Sequence, residues 1–140
     1  MGKNRITLKE AKKFHGHLGP YLVLGILAGE IALKKLRCRK YFSLKVRVWG
    51  ATKKPKSCLI DGLQLSTGST YGKGNIKKLN GRKIKIDFCN LANHKKIILK
   101  LKDNFIQRLQ RTKTHEDSES LAKQLYNIDP LEPFILTTHC

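Results

Sequence analysis

Ile6 to Phe14, ITLKEAKKF, scatters apolar residues among charged ones, and Thr7 with Glu10 has the spacing at which each side chain bonds the other's backbone N–H. A short polar helix is expected there. From Tyr21 to Leu36, behind Pro20, apolar residues run nearly all round a helical wheel, which predicts a buried central helix. Gly25 and Gly29 fall four apart on one face of it, where missing side chains let another backbone come close. The period then changes. Tyr41 to Gly50, YFSLKVRVWG, alternates apolar and basic residues as a half-buried strand does, and Pro55 marks a turn over Thr52–Ser57. Cys58 to Leu65, CLIDGLQL, is predicted as a short helix with Ser57 near its start, and a glycine-rich connection follows from Gly68 to Asn75.

After a turn at Asn80-Gly81, Lys83–Phe88 and Ile97–Leu101 alternate as two further strands, expected to be antiparallel neighbours. Asp103–Gln110 and Ser118–Tyr126 read as helices, and the proline-bounded Phe134–Leu136 as a final short strand. Helix, strand, helix and then clustered strands argue for an α+β fold, with helices packed on one face of a mixed sheet. The chain has 140 residues, 40% of them hydrophobic, enough for one core. A single domain over residues 1–140 is expected, without internal repeats or long linkers.

Charge widens the list of partners. Lys plus Arg number 29 against 10 Asp plus Glu, a net +19 that draws polyanions without specificity. The lysines are dispersed in pairs such as Lys34-Lys35 and Lys77-Lys78 with few aromatic residues between them, so a solvated basic surface is favoured over a nucleic-acid footprint. Four cysteines, Cys38, Cys58, Cys89 and Cys140, form no CxxC pair and no disulfide framework. The apolar run from Tyr21 to Leu33 is too short to span a bilayer and is broken by Glu30, so a cytoplasmic protein with no membrane partner is expected.

Three stretches carry candidate chemistry. In His15-Gly16-His17, just before the proline-started helix, two imidazoles two residues apart can face one pocket as half of a metal site; taken alone, a surface or structural pair is the commoner reading. Cys58, Asp61 and Gln64 share a helical face at spacings of three. A thiol at a helix N-terminus suits metal ligation or nucleophilic attack, with Asp61 orienting an imidazole or acting as a general base; an inert cysteine beside a capping aspartate is equally compatible. The third stretch, Gly68-Ser-Thr-Tyr-Gly-Lys-Gly-Asn75, is one residue too short for a P-loop and has Gly74 where the magnesium-binding hydroxyl belongs. It is either a cradle of backbone N–H groups with Lys73 adding charge, or a tight structural connection. Cys38, Cys89, His115, His139 and Cys140 rank lower, and Trp49 is expected as a core or interface anchor.

Together, FHGHLGPYLVLGILAGEIAL and PKSCLIDGLQLSTGSTYGKGN resemble the FmdE family of formylmethanofuran dehydrogenase components, with its HGH-x-x-P and C-x-x-D-x-x-Q-x-x-T-G-C-T-x-G-K-G-N blocks. The motifs cover Phe14 to about Asn75; the lysine-rich remainder, about 76–140, carries almost none of them. The resemblance implies an α+β homodimer with zinc or another divalent transition metal at His15, His17 and Cys58. Asp61 and Gln64 would support them, and Thr67, Gly68, Ser69, Thr70, Gly72, Lys73, Gly74 and Asn75 would form the loop. It further implies an accessory role beside molybdenum or tungsten enzymes of C1 or redox metabolism, as in methanogenesis. The dehydrogenase itself is not implied, because the chain has no clustered cysteines for iron–sulfur binding. Gly19 and Ser69 stand where many relatives have cysteine, which removes two soft donors. A stand-alone metal enzyme, with Cys58 and Asp61 as catalytic groups and the metal activating water, is the alternative, and a basic nucleic-acid-binding module a further one.

Overall fold

The computed structural model describes residues 5–139. Five helices and five strands follow in the order α1 (Leu8–His15), α2 (Pro20–Lys35), β1 (Leu44–Trp49), α3 (Cys58–Thr67), β2 (Ile76–Leu79), β3 (Lys85–Asn90), β4 (Lys96–Leu101), α4 (Asp103–Arg111), α5 (His115–Asn127) and β5 (Phe134–His139). The fold is α+β, as the sequence predicts. The Thr7 hydroxyl accepts from the Glu10 N–H and the Glu10 carboxylate accepts from the Thr7 N–H, each at 3.0 Å. The Thr7 N–H and, with it, the Thr7 hydroxyl donate to the carboxylate and hold Glu10 below the usual carboxylate range. Gly16, at φ 105°, ends α1 in the left-handed region, and the chain turns through 120° before Pro20 opens α2.

Pro20 to Gly29 are all buried, so α2 is the core helix its composition predicts. Among the described residues no single helix is long and apolar enough to cross a membrane. Glu30, the acid that interrupts the apolar run of this helix, is held by Arg5 through two contacts of 2.7 and 3.1 Å.

The sheet runs β2-β1-β3-β4-β5, with β1 and β2 parallel and the other pairs antiparallel. β2 is absent from the sequence-based expectation because IKKL is four residues long with two lysines, too short to show a period. It pairs parallel to β1 because α3 carries the chain across the sheet between them. Alternation assigns the faces: Leu44, Val46, Val48, Ile86, Phe88, Ile97 and Leu99 are buried against the helices. Lys45, Arg47, Trp49, Lys77, Lys85, Lys96 and Lys100 project from the other face.

One contact positions the functional end of the molecule. A Cβ on Gly62 would overlap the Leu22 carbonyl oxygen and lie 2.9 Å from the Gly25 Cα, so α2 and α3 touch backbone to backbone. One turn on, Gly29 faces Ser66, whose hydroxyl lies 3.2 Å from the Gly25 carbonyl and 2.9 Å from that of Gly62. The contacts advance together along both helices, which therefore run in the same direction. We expect Gly62→Ala to lower the unfolding free energy in urea titration by about 2–3 kcal/mol or more, through overpacking. Gly72→Ala, where an added Cβ meets only Thr70 Oγ1 at 3.8 Å, should stay within about 0.5 kcal/mol. Equal losses would disprove the backbone contact.

Candidate metal centre

Because α2 and α3 run alongside each other in one direction, their N-terminal ends lie together. His15 closes α1, His17 sits in the corner before Pro20, and Cys58 is the first residue of α3. The ligand atoms of His15, His17 and Cys58 all lie within 4.8 Å of one another, and the two imidazole centroids are 4.8 Å apart. The N-termini of two helices add partial positive charge at this corner, which favours a carboxylate or thiolate there.

One helical turn beyond Cys58, Asp61 Oδ2 lies 2.6 Å from His15 Nδ1. The Gln64 amide approaches Asp61 Oδ1 at 3.4 Å, and Gln64 Oε1 accepts from the Tyr71 N–H at 3.1 Å. With Nδ1 donating to the carboxylate, His15 presents the lone pair of Nε2. That atom is buried and has no hydrogen-bond partner. A buried imidazole nitrogen left in this way, beside a second imidazole and a thiol, is what a metal ligand oriented by an outer carboxylate looks like. The donor set suits zinc or another divalent transition metal, so the residues present fit such an ion.

The Cys58 thiol is pushed up from its ordinary pKa, first by burial and then by the Asp61 carboxylate, with Lys54 acting in the opposite direction. This opposes the expectation that the helix end alone would favour a thiolate. In the metal-free protein the sulfur holds its proton near neutrality, and an ion would have to displace it. Asp61 has both oxygens engaged by His15 and Gln64, an arrangement that orients an imidazole.

The glycine-rich loop does not open toward an anion. The N–H groups of Thr70, Tyr71, Lys73, Gly74 and Asn75 are bonded within the loop or to Gln64. Thr70 N–H donates to Asn75 Oδ1 at 2.8 Å, and Asn75 Nδ2 donates to the Tyr41 carbonyl at 2.9 Å. Gly68, at φ 74°, caps α3 against Tyr41. Thr67 donates to the Leu63 carbonyl and accepts from the Ser69 N–H, while the fully buried Ser69 hydroxyl donates to the Leu44 carbonyl at 3.1 Å. Ser69 therefore ties the loop to β1. A Cβ on Gly72 would meet only Thr70 Oγ1, at 3.8 Å, and the Lys73 ammonium donates to Thr70 Oγ1 at 3.2 Å and lies 5.5 Å from the Phe42 ring centroid. The motif thus divides: Gln64 and Tyr71 touch the centre through Asp61, and the rest of the loop braces itself.

Trp49, expected as a core or interface anchor, lies on the open sheet face with Lys85 4.4 Å and Arg47 5.2 Å from its ring centroid. His115, which the sequence ranks lower, is a further neighbour of this corner. Its ring centroid is 6.1 Å from that of His17, although a lone histidine in a polar segment carries no spacing signal.

The sequence pattern of FmdE, described as "Molybdenum formylmethanofuran dehydrogenase operon", matches residues 14–134, most of the chain. The chain belongs to the FmdE family. It is also similar to a probable S-adenosyl-L-methionine-binding protein of Archaeoglobus fulgidus, 36% identical over 70 residues, or 49% of this chain. The matched segment spans only 19% of that relative's length. A crystal structure of a tungsten formylmethanofuran dehydrogenase FmdE-like protein from Syntrophus aciditrophicus superposes with a TM-score of 0.69 at 19% identity, covering 94% of this chain and 69% of that one. The fold is shared across nearly the whole FmdE domain, including the lysine-rich part that carries few motifs.

Zinc titration against a chromophoric chelator should show Asp61→Ala binding on the order of 10–100-fold more weakly, because His15 loses its orienting acceptor. Since the raised Cys58 thiol must lose a proton to bind, zinc affinity of the unaltered chain should fall as pH falls from 8 to 6. Affinity flat across that range would exclude the thiol as a ligand.

Proposed function

We propose that this FmdE-family protein binds zinc, or a similar divalent transition metal, through His15, His17 and Cys58. It would act as a cytoplasmic homodimer accessory to a molybdenum or tungsten enzyme of C1 or redox metabolism. The observation that carries the metal reading is the buried, unpartnered His15 Nε2 beside the His17 and Cys58 donors. The accessory role is supported by the family and by the sequence: no cysteine cluster is present to hold an electron-transfer centre. Self-association is supported by the exposed aromatic rings of Tyr41, Phe42 and Tyr71 beside the motif loop.

As a stand-alone enzyme, the ion would supply Lewis-acid activation of a water in a fourth position. The chain's own groups give that reading less support. Asp61, the group that reading would use as its base, already has its two oxygens bonded to Gln64 and His15.

A separate observation favours polyanion docking as a second reading. Alternation places Lys45, Arg47, Lys77, Lys85, Lys96 and Lys100 on one sheet face around Trp49, with Asp87 buried there and bonded to Arg47 at 2.6 Å. A cleft of about 380 Å³ lies elsewhere, beside Arg5 and Glu30, whereas one of about 630 Å³ at the end of this face is lined by Trp49, Arg82, Lys83, Lys85, Lys100 and Lys102. The fold gathers charges that the sequence disperses.

Metal analysis of the purified protein should find about one zinc per chain, lost in His17→Ala and in Cys58→Ala. Retention in both variants would eliminate the site. For the second reading, single-stranded oligonucleotide binding should weaken steeply with salt, and Lys85→Glu combined with Lys100→Glu should flatten that dependence. Salt-insensitive binding would rule out a grip on phosphates.

A further inference from the structure

We propose that His115 supplies the fourth donor to this metal, closing the centre as a His3Cys site that ties the C-terminal half of the domain to the motif half. This inference rests on the metal reading above. Three donors leave one corner of a zinc tetrahedron to be filled by a protein group or by water. The layout of α5 decides which group is near. At its far end, Tyr126 donates its hydroxyl proton to the Ile6 carbonyl at 2.7 Å, and Arg5 bridges the Tyr126 carbonyl and Glu30 of α2. The roughly 17 Å of helix back from Tyr126 to His115 returns along α2 with Leu121, Ala122 and Leu125 buried. It ends with the His115 ring 6.1 Å from that of His17. α5 therefore runs in the same direction as α2, and a third helix N-terminus reaches the metal corner.

The spacing of His115 from His17 fits a small adjustment. Two imidazoles bound to one tetrahedral zinc through nitrogens at about 2.0–2.1 Å hold their centroids about 5 Å apart. His15 and His17 already meet that spacing at 4.8 Å, and His115 lies roughly 1 Å beyond it at 6.1 Å. Its backbone is fixed, since Thr114 caps α5 by accepting from the Asp117 N–H at 3.0 Å. Its side chain is exposed, so turning it toward the ion breaks no packing. A fourth protein ligand excludes water from the ion, which makes the centre a structural clasp and not a hydrolytic one. The clasp joins the α1–α2 corner, α3 and α5.

The test compares the zinc-loaded full chain with His115→Ala, using X-ray absorption to count imidazoles and chelator competition to measure affinity. The unaltered chain should show three imidazoles and one sulfur. The variant should show two imidazoles and one sulfur, with affinity reduced at least about tenfold. Far-UV circular dichroism should match, because the substituted side chain is exposed. Two imidazoles plus an oxygen donor in the unaltered chain, with affinity unchanged in His115→Ala, would overturn the fourth ligand and leave the three-donor site standing. Zinc absent from the unaltered chain, or retained by both His17→Ala and Cys58→Ala, would overturn both readings.

Discussion

Where Gly25 meets Gly62, α2 and α3 pack with no side chain between them, and the rest of the site depends on that approach. A side chain at either position would push the helices apart by the width of a methyl group or more. The first turn of α3 would then carry Cys58 and Asp61 away from the His15-Gly16-His17 corner. Ser66 reinforces the contact by bonding to carbonyls of both helices, which pins α3 along its axis as well as across it. Glycines in a buried helix cost propensity, roughly 1 kcal/mol each relative to alanine. Here the gain is a fixed distance between a histidine corner and a cysteine.

That distance is read out by a chain of polar groups. Tyr71 N–H, Gln64, Asp61 and His15 are linked in sequence, so the glycine-rich loop reaches the candidate ion through three side chains without touching it. The loop's glycines and its Thr70–Asn75 bonds hold the Tyr71 N–H in place; Gln64 in turn holds Asp61, which sets the imidazole. Residues at the far end of the motif are thereby joined to the histidines in one hydrogen-bonded network. Ser69 has no place at the centre: its hydroxyl is bonded to β1, where it completes the burial of the loop.

Much of this was legible in residue patterns. The capping box predicted the start of α1 within two residues, the all-round apolar segment predicted a buried α2, and Gly25 with Gly29 predicted close approach of a second backbone, because each rests on local geometry. β2 was not legible, since four residues with two lysines show no period, and its parallel place beside β1 comes from the crossover through α3. The Cys58 thiol was read either as a helix-end thiolate or as an inert buried cysteine; burial and then the Asp61 carboxylate, neither visible in a local pattern, raise it. Trp49 was read as a core or interface anchor; its position in the alternation sends it outward among cations, which overturns only the core half of that reading.

By itself, the sequence determined most of the elements, the α+β class and the candidates His15, His17, Cys58, Asp61 and Gln64, because helix periods, caps and family motifs act over a few residues. Tertiary structure alone decided that α2, α3 and α5 present their N-termini at one corner. It also decided that His15 Nε2 is left buried without a partner, and that lysines scattered over four strands share one face. Those outcomes depend on the direction in which packed helices run and on sheet register. Both are set by contacts between residues tens of positions apart, which no local pattern records.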